Sequence, residues 1–140
     1  MAKLWQKGAS TTNELASKVE RFTVGNDRNL DLHLAKYDVL GSLAHTKMLA
    51  EVGLLPEKEL PALQAELKSI YKSILKGSFS IAAESEDIHS EVEFRLTQKL
   101  GDLGKKIHSG RSRNDQVLLD MKLFTRNEIE EIVHLTQTVF

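Results

Sequence analysis

The chain has 140 residues, with no cysteine, two prolines and one tryptophan. Hydrophobic residues make up 41% and charged residues 28%, which excludes a disordered, collagen-like or low-complexity chain. Nineteen basic against twenty acidic residues leave a net charge of -1, so the overall charge gives no support to a nucleic-acid or membrane-surface role. The lack of cysteine removes a disulfide scaffold and a thiolate metal site. Met1 to Lys7 lacks the apolar run of a signal peptide, and no stretch approaches the ~20 apolar residues that cross a bilayer. A cytoplasmic protein of one domain, or one small domain and the start of another, is the expectation.

The apolar pattern is helical nearly throughout. Leu32, Ala35, Val39 and Leu43 recur at helical spacing within a segment from about Leu30 to Val52, which Gly53 can end. From Pro56 to Lys76 a second stripe runs through Leu60, Leu63, Leu67, Ile70 and Ile74. Pro56 suits the first turn there, Glu57 and Glu59 suit its positive end, and Gly77 is a natural stop. These segments predict two antiparallel helices with a short connection. A third helix is predicted over about Asp87 to Leu100, on Ile88, Val92 and Leu96, with Gly101 and Gly104 breaking it. A long helix then begins near Asn114 or Asp115 and carries Leu118, Met121, Phe124, Ile129, Ile132, Leu135 and Val139. Its pattern is still running at Phe140 with no stop signal, which points to a partial gene product. No repeat and no strand pair emerges, so the fold class is all-α.

Two segments stand out by charge. Residues 84–93 hold five acidic residues, no lysine or arginine, and His89. Asp87, His89, Glu91 and Glu93 invite a metal reading, but residues two apart on a helix face away from each other, and His89 shares a face with Glu93 alone. A solvated helix start with acids at its N-terminus, or a polar His89 beside the basic turn, are the other readings. Residues 105–116 hold four cations, one acid and a dense set of small donors. Gly110 frees the backbone just before the long helix, whose unpaired N–H groups and positive dipole end face the turn. Arg111 and Arg113 add forked donors suited to carboxylates. This fits a small dianion better than a phosphate, since the Gly-Lys-Ser/Thr signature is missing. The plainer alternative is a helix capped by Ser112 or Asn114, with solvated arginines. His33, His45 and His134 lack comparable context and read as surface or half-buried; His108 could orient the turn, or simply pack or cap.

The string Gly104-Lys105-Lys106-Ile107-His108-Ser109-Gly110-Arg111-Ser112-Arg113-Asn114-Asp115-Gln116 strongly resembles the argininosuccinate lyase family. The likeness continues into Asp120 to Phe124, and is supported by Glu86 to Ser90, Tyr37 to His45 and Leu4-Trp5, in the same order. The resemblance implies cleavage of argininosuccinate to arginine and fumarate, without metal or organic cofactor. It implies an all-α fold: a small N-terminal helical domain over residues 1–112, then the first long helix of the central bundle over residues 113–140. It implies a homotetramer packed through such helices, each active site drawing on sequence regions from different chains. Residue for residue, Ser112, Arg113 and Asn114 would bind the substrate, chiefly its carboxylates, and Asp87 and His89 would support them. The family's base serine and its Thr-His pair lie beyond residue 140, so this chain alone is expected to be inactive and, with its apolar stripe uncovered, to associate. Many members carry Trp-Gly-Gly-Arg-Phe where this chain has Trp5-Gln6-Lys7-Gly8, and a serine near Asp27, to which no role is transferred. Two rival readings are another fumarate-forming lyase of the same superfamily and a non-catalytic helical assembly or interaction protein.

Overall fold

A computed structural model describes residues 13–140. Its elements are α1 (Asn13–Thr23), α2 (Asp27–Asp31), α3 (Ala35–Glu51), α4 (Leu60–Leu75), α5 (Ile88–Leu100), α6 (Asp102–Lys105) and α7 (Arg113–Val139), with single 3₁₀ turns at Glu57–Glu59 and Lys106–His108. No strand occurs among the described residues. Leu4-Trp5 and the Trp5–Gly8 departure lie outside them.

Helices α3 and α4 pack against each other as the predicted antiparallel pair. Leu63, Leu67 and Ile70 of α4 are buried, with Leu60 and Ile74 packed alongside. Ala35, Val39 and Leu49 of α3 and Ile88, Val92 and Leu96 of α5 complete the core, closed by Leu55, Phe79 and Ile107. Each fully buried leucine contributes about 2 kcal/mol of burial energy. The α3 stripe differs from the expected one. Leu32 is exposed and precedes the helix, while Asp38, Ser42 and Thr46 form a second, polar row that is also buried. That row positions the site.

Three local details differ from the sequence expectations. The segment beginning near Leu30 is two helices, α2 and α3, separated by a turn at residues 32–34. Pro56 precedes the 3₁₀ turn instead of opening α4, and Pro61 occupies the first turn of α4. Gly101, at φ +60°, ends α5, but Gly104 breaks nothing: it sits inside α6, pressed against the end of α5. A Cβ there would stand 2.4 Å from the Leu96 carbonyl carbon, so only glycine allows the approach.

Helix α7 has two unlike parts. Its first turns lie along α3, with Gln116 and Asp120 buried and Phe124 edge-on to Tyr37 at a 6.1 Å centroid distance. From residue 125 to 140 every residue is exposed, Ile129, Ile132, Leu135 and Val139 among them.

Candidate functional site

The basic turn is built by one glycine and one capping serine. Gly110 adopts φ +72°, which reverses the chain between the 3₁₀ turn and α7. Ser112 then takes extended backbone angles as the N-cap of α7. Its Oγ accepts the Asp115 N–H at 3.4 Å, while the Asp115 carboxylate accepts the Ser112 N–H at 2.7 Å and the Ser112 hydroxyl at 2.9 Å. Those bonds, the backbone N–H first, hold Asp115 below the usual carboxylate range. The amides of Arg113 and Asn114, first in the helix, have no intrahelical acceptor and remain at its positive end. Ser112, Arg113 and Asn114 are all exposed. The capping reading holds, since Ser112 does cap, and the next two residues still present donors to solvent.

The acidic segment comes to meet this turn. Asp87 caps α5 by accepting the Ser90 N–H at 2.8 Å. It also faces Arg113, whose Nε lies 3.0 Å from Asp87 Oδ2. Arg113 Nη2 donates to Ser90 Oγ at 3.1 Å, and Nη1 stands 3.7 Å from Glu86. Arg113 is thus held from one side by the start of α5 and open on the other.

Arg111, expected as a second exposed fork, turns inward. Its Nε donates to the Ile107 carbonyl at 3.1 Å and Nη2 to Ser42 Oγ at 3.0 Å. Burial pulls its pKa down against the pull of Asp38 and Asp120. The solvated helix start is corrected likewise. His89 is 7% exposed and Glu91 3%. Glu91 accepts from Ser85 Oγ, the Ala82 N–H and Arg95, bonds that outweigh its burial and lower its pKa. Asp87, His89 and Glu91 thus serve three different sets of partners, which leaves the four-residue metal reading without a common centre.

His89 belongs to a buried cluster beneath the turn. Its Nδ1 donates to Asp38 Oδ1 at 2.7 Å and lies 3.8 Å from Asp120 Oδ2. Gln116 Nε2 donates to the same Asp38 oxygen at 3.3 Å. Burial alone would lower the His89 pKa; the Asp38 hydrogen bond and charge reverse that and raise it. Burial, then the neighbouring Asp38 charge, pushes Asp120 up to about 7. The donor atoms of Asp38, His89 and Asp120 fall within 4.8 Å of one another, the reach of a metal site. Two details fit a proton better. A zinc ion with bonds near 2.0–2.2 Å holds its ligands about 3.3 Å apart, whereas 2.7 Å is hydrogen-bond spacing. Arg111 already supplies positive charge beside both carboxylates.

His45, expected at the surface or half-buried, is half-buried and borders the turn: its Nε2 donates to the Ser109 carbonyl at 2.8 Å, and burial lowers its pKa. It lines a cavity of about 320 Å³ with Gly41, Arg111, Asp115 and Gln116. His33, His108 and His134 are exposed, and so is Asp27, in the first turn of α2.

A family profile described as lyase matches residues 13–139. The chain belongs to this lyase family, within the helical fumarase/aspartase superfamily. Argininosuccinate lyase of Bacteroides thetaiotaomicron is 57% identical over 138 residues, covering 99% of this chain and 30% of its own length. That of Thermotoga neapolitana is 42% identical over 133 residues, 95% of this chain and 32% of the relative. That of Nitrosomonas europaea is 44% identical over 125 residues, 89% and 27%. The lyase chain therefore spans about 30% of the length of the curated relatives it matches. None of its described helices is long and apolar enough to cross a membrane.

Of the residues singled out from the sequence, Arg113 and Asp87 are in direct contact, Ser112 caps the helix they flank, and His89 lies below them. Asp38, Gln116 and Asp120 were missed as site residues. A signal existed: Asp38, Ser42 and Thr46 fall four apart, as do Gln116 and Asp120, each a polar row interrupting an apolar face.

Proposed function

We propose that this lyase chain is part of an enzyme that cleaves argininosuccinate to arginine and fumarate, acting in arginine biosynthesis. The observation that carries this is the turn at the start of α7, where an arginine gripped by α5 and two free helix amides form a fixed set of carboxylate donors. The relatives' shared name supports it. In the elimination a proton leaves the carbon next to a carboxylate, and charge builds on that carboxylate before the C–N bond breaks. Donors already aimed at it lower the barrier, often as the largest single contribution. Ser112, Arg113 and Asn114 take that role, with Asp87 and His89 in support. General base and acid come from sequence regions outside this chain.

In this reading residues 1–112 form the small N-terminal domain and residues 113–140 open the long-helix domain. The exposed apolar residues of α7 pack in a homotetramer, and the enzyme works in the cytoplasm on a small-molecule substrate. The test is fumarate release from argininosuccinate by the complete gene product. Arg113→Ala and Asn114→Ala are each expected to lower kcat/KM by about 100-fold or more with helix content unchanged. Undiminished turnover in both variants overturns the assignment, and the 140-residue chain alone is expected to release no fumarate.

A further inference from the structure

The cluster of Asp38, His89 and Asp120 is buried under the turn; His89 enters the reading above only in support, and Asp38 and Asp120 have no part in it. We infer that Asp38 and Asp120 are positioning residues for the cradle: they keep the His89 ring as a proton-carrying bridge between α3, α5 and α7, and so fix the helix start that grips Arg113. This rests on the proposed role of Arg113.

The geometry carries the inference. One imidazole joins a carboxylate from α3 at 2.7 Å and faces one from α7 at 3.8 Å. Asp38 and Asp120 are each 1% exposed, and Asp38 Oδ2, Asp120 Oδ2 and Gln116 Oε1 are buried acceptors that no protein donor reaches. Buried acceptors of this kind call for a proton. The charges give the same answer. Asp38 faces the site from α3, His89 from α5, Asp120 from α7 and Arg111 from the turn; Asp31 in α2 and Asp87, Glu93 and Asp115 at the margin are further acids that act on these groups. Two buried carboxylates against one guanidinium leave one negative charge, and one proton held between His89 and Asp120 cancels it.

The lever is short. His89 lies between Asp87 and Ser90 in the first turn of α5, and those two residues bond the Arg113 guanidinium. A bridge that fixes His89 fixes them as well. Loss of the proton leaves the two carboxylates repelling each other across the α3–α7 seam, which directly underlies Arg113. Both shifts raise the pKa, and Asp120, at about 7, gives up its proton through neutrality.

The experiment compares wild type with Asp120→Asn and His89→Gln in the complete gene product, following fumarate release and melting temperature from about pH 5 to about pH 9. In wild type the substrate KM is expected to rise as pH passes about 7, by about tenfold per pH unit beyond the break for one proton, while melting temperature falls on the approach to that break as Asp120 ionises. Asp120→Asn, which cannot ionise, is expected to abolish both trends while leaving kcat at about pH 7 within a few-fold. His89→Gln keeps a donor for Asp38 but cannot carry the proton. It is expected to raise KM at every pH, and it serves as the test should Asp120→Asn fail to fold. An unaltered alkaline limb in the variant that folds overturns the inference. So does stoichiometric zinc or magnesium uptake by wild type that Asp120→Asn removes. If wild type releases no fumarate but its loss of melting temperature toward pH 7 still vanishes in Asp120→Asn, the bridge stands and the proposed reaction falls.

Discussion

The exposed turn and the buried cluster beneath it use the same chemical vocabulary, acids and cations within one helical turn of each other, to opposite ends. In the turn, Arg113 keeps 44% of its side chain open beside Asp87, so it can exchange or share partners with an incoming anion. In the cluster, Asp38, His89 and Asp120 have no such freedom: water is excluded and every charge must be answered by a neighbour or a proton. The comparison teaches that residue type and spacing name the groups, while depth decides whether they bind a ligand or hold helices together.

That difference breaks most sharply on the buried side. Asp38→Ala removes the acceptor of both His89 and Gln116 and leaves the buried His89 ring without its hydrogen-bonded carboxylate. Breaking a buried charge set this way costs about 3–5 kcal/mol, so the cooperative thermal melt is expected to fall steeply or vanish. Arg113→Ala, an exposed ion-pair loss, is expected to cost no more than about 1 kcal/mol while removing most of the turnover. Similar melting losses in the two variants would erase the distinction between turn and cluster.

The next effect is on pH dependence. Asp120 is raised from 3.8 to about 7, so the stability it allows at acid pH is lost as pH climbs through that range. His89, also raised, contributes below its ordinary value of 6.5 and loses the contribution as pH passes its higher folded value. Glu91 runs the other way. Its lowered pKa gives stability above 4.5 that disappears as pH falls through the folded value. Melting temperature against pH is therefore expected to show two limbs with separate origins. Asp120→Asn should flatten the fall between pH 3.8 and about 7, and Glu91→Gln the one below 4.5, and either variant flattening the wrong limb would refute the assignment.

Much of the fold was legible because the core helices are amphipathic in the simplest way: Leu63, Leu67 and Ile70, or Ile88, Val92 and Leu96, repeat at helical spacing and are buried as that spacing requires. The capping turn was legible too, since a glycine followed by serine and an acid three residues later is a local signal. What could not be read was depth. Nothing local says that Arg111 turns inward to Ser42, sixty-nine residues away, while Arg113 stays out. The pairing of Asp38, His89 and Asp120 likewise depends on how three helices cross. Gly104 was misread for the same reason: a glycine that breaks a helix and a glycine that lets two helix segments touch look alike in one dimension.

The smallest effects belong to the cap and the outer surface, and they sharpen the comparison from below. Ser112→Ala removes the hydroxyl that accepts the Asp115 N–H, and caps of this kind are worth about 1 kcal/mol. Ser112→Asp can also accept that N–H but sets a second carboxylate against Asp115, which the serine hydroxyl faces at 2.9 Å, so it is expected to restore neither the melting temperature nor turnover. Lys105 and Asp102 form a close pair at 2.7 Å, as short as the His89–Asp38 contact, yet both are exposed. Asp102→Asn is expected to leave melting temperature unchanged, because water answers both charges once the pair is broken. A measurable loss there would mean that distance, and not depth, sets the worth of these contacts.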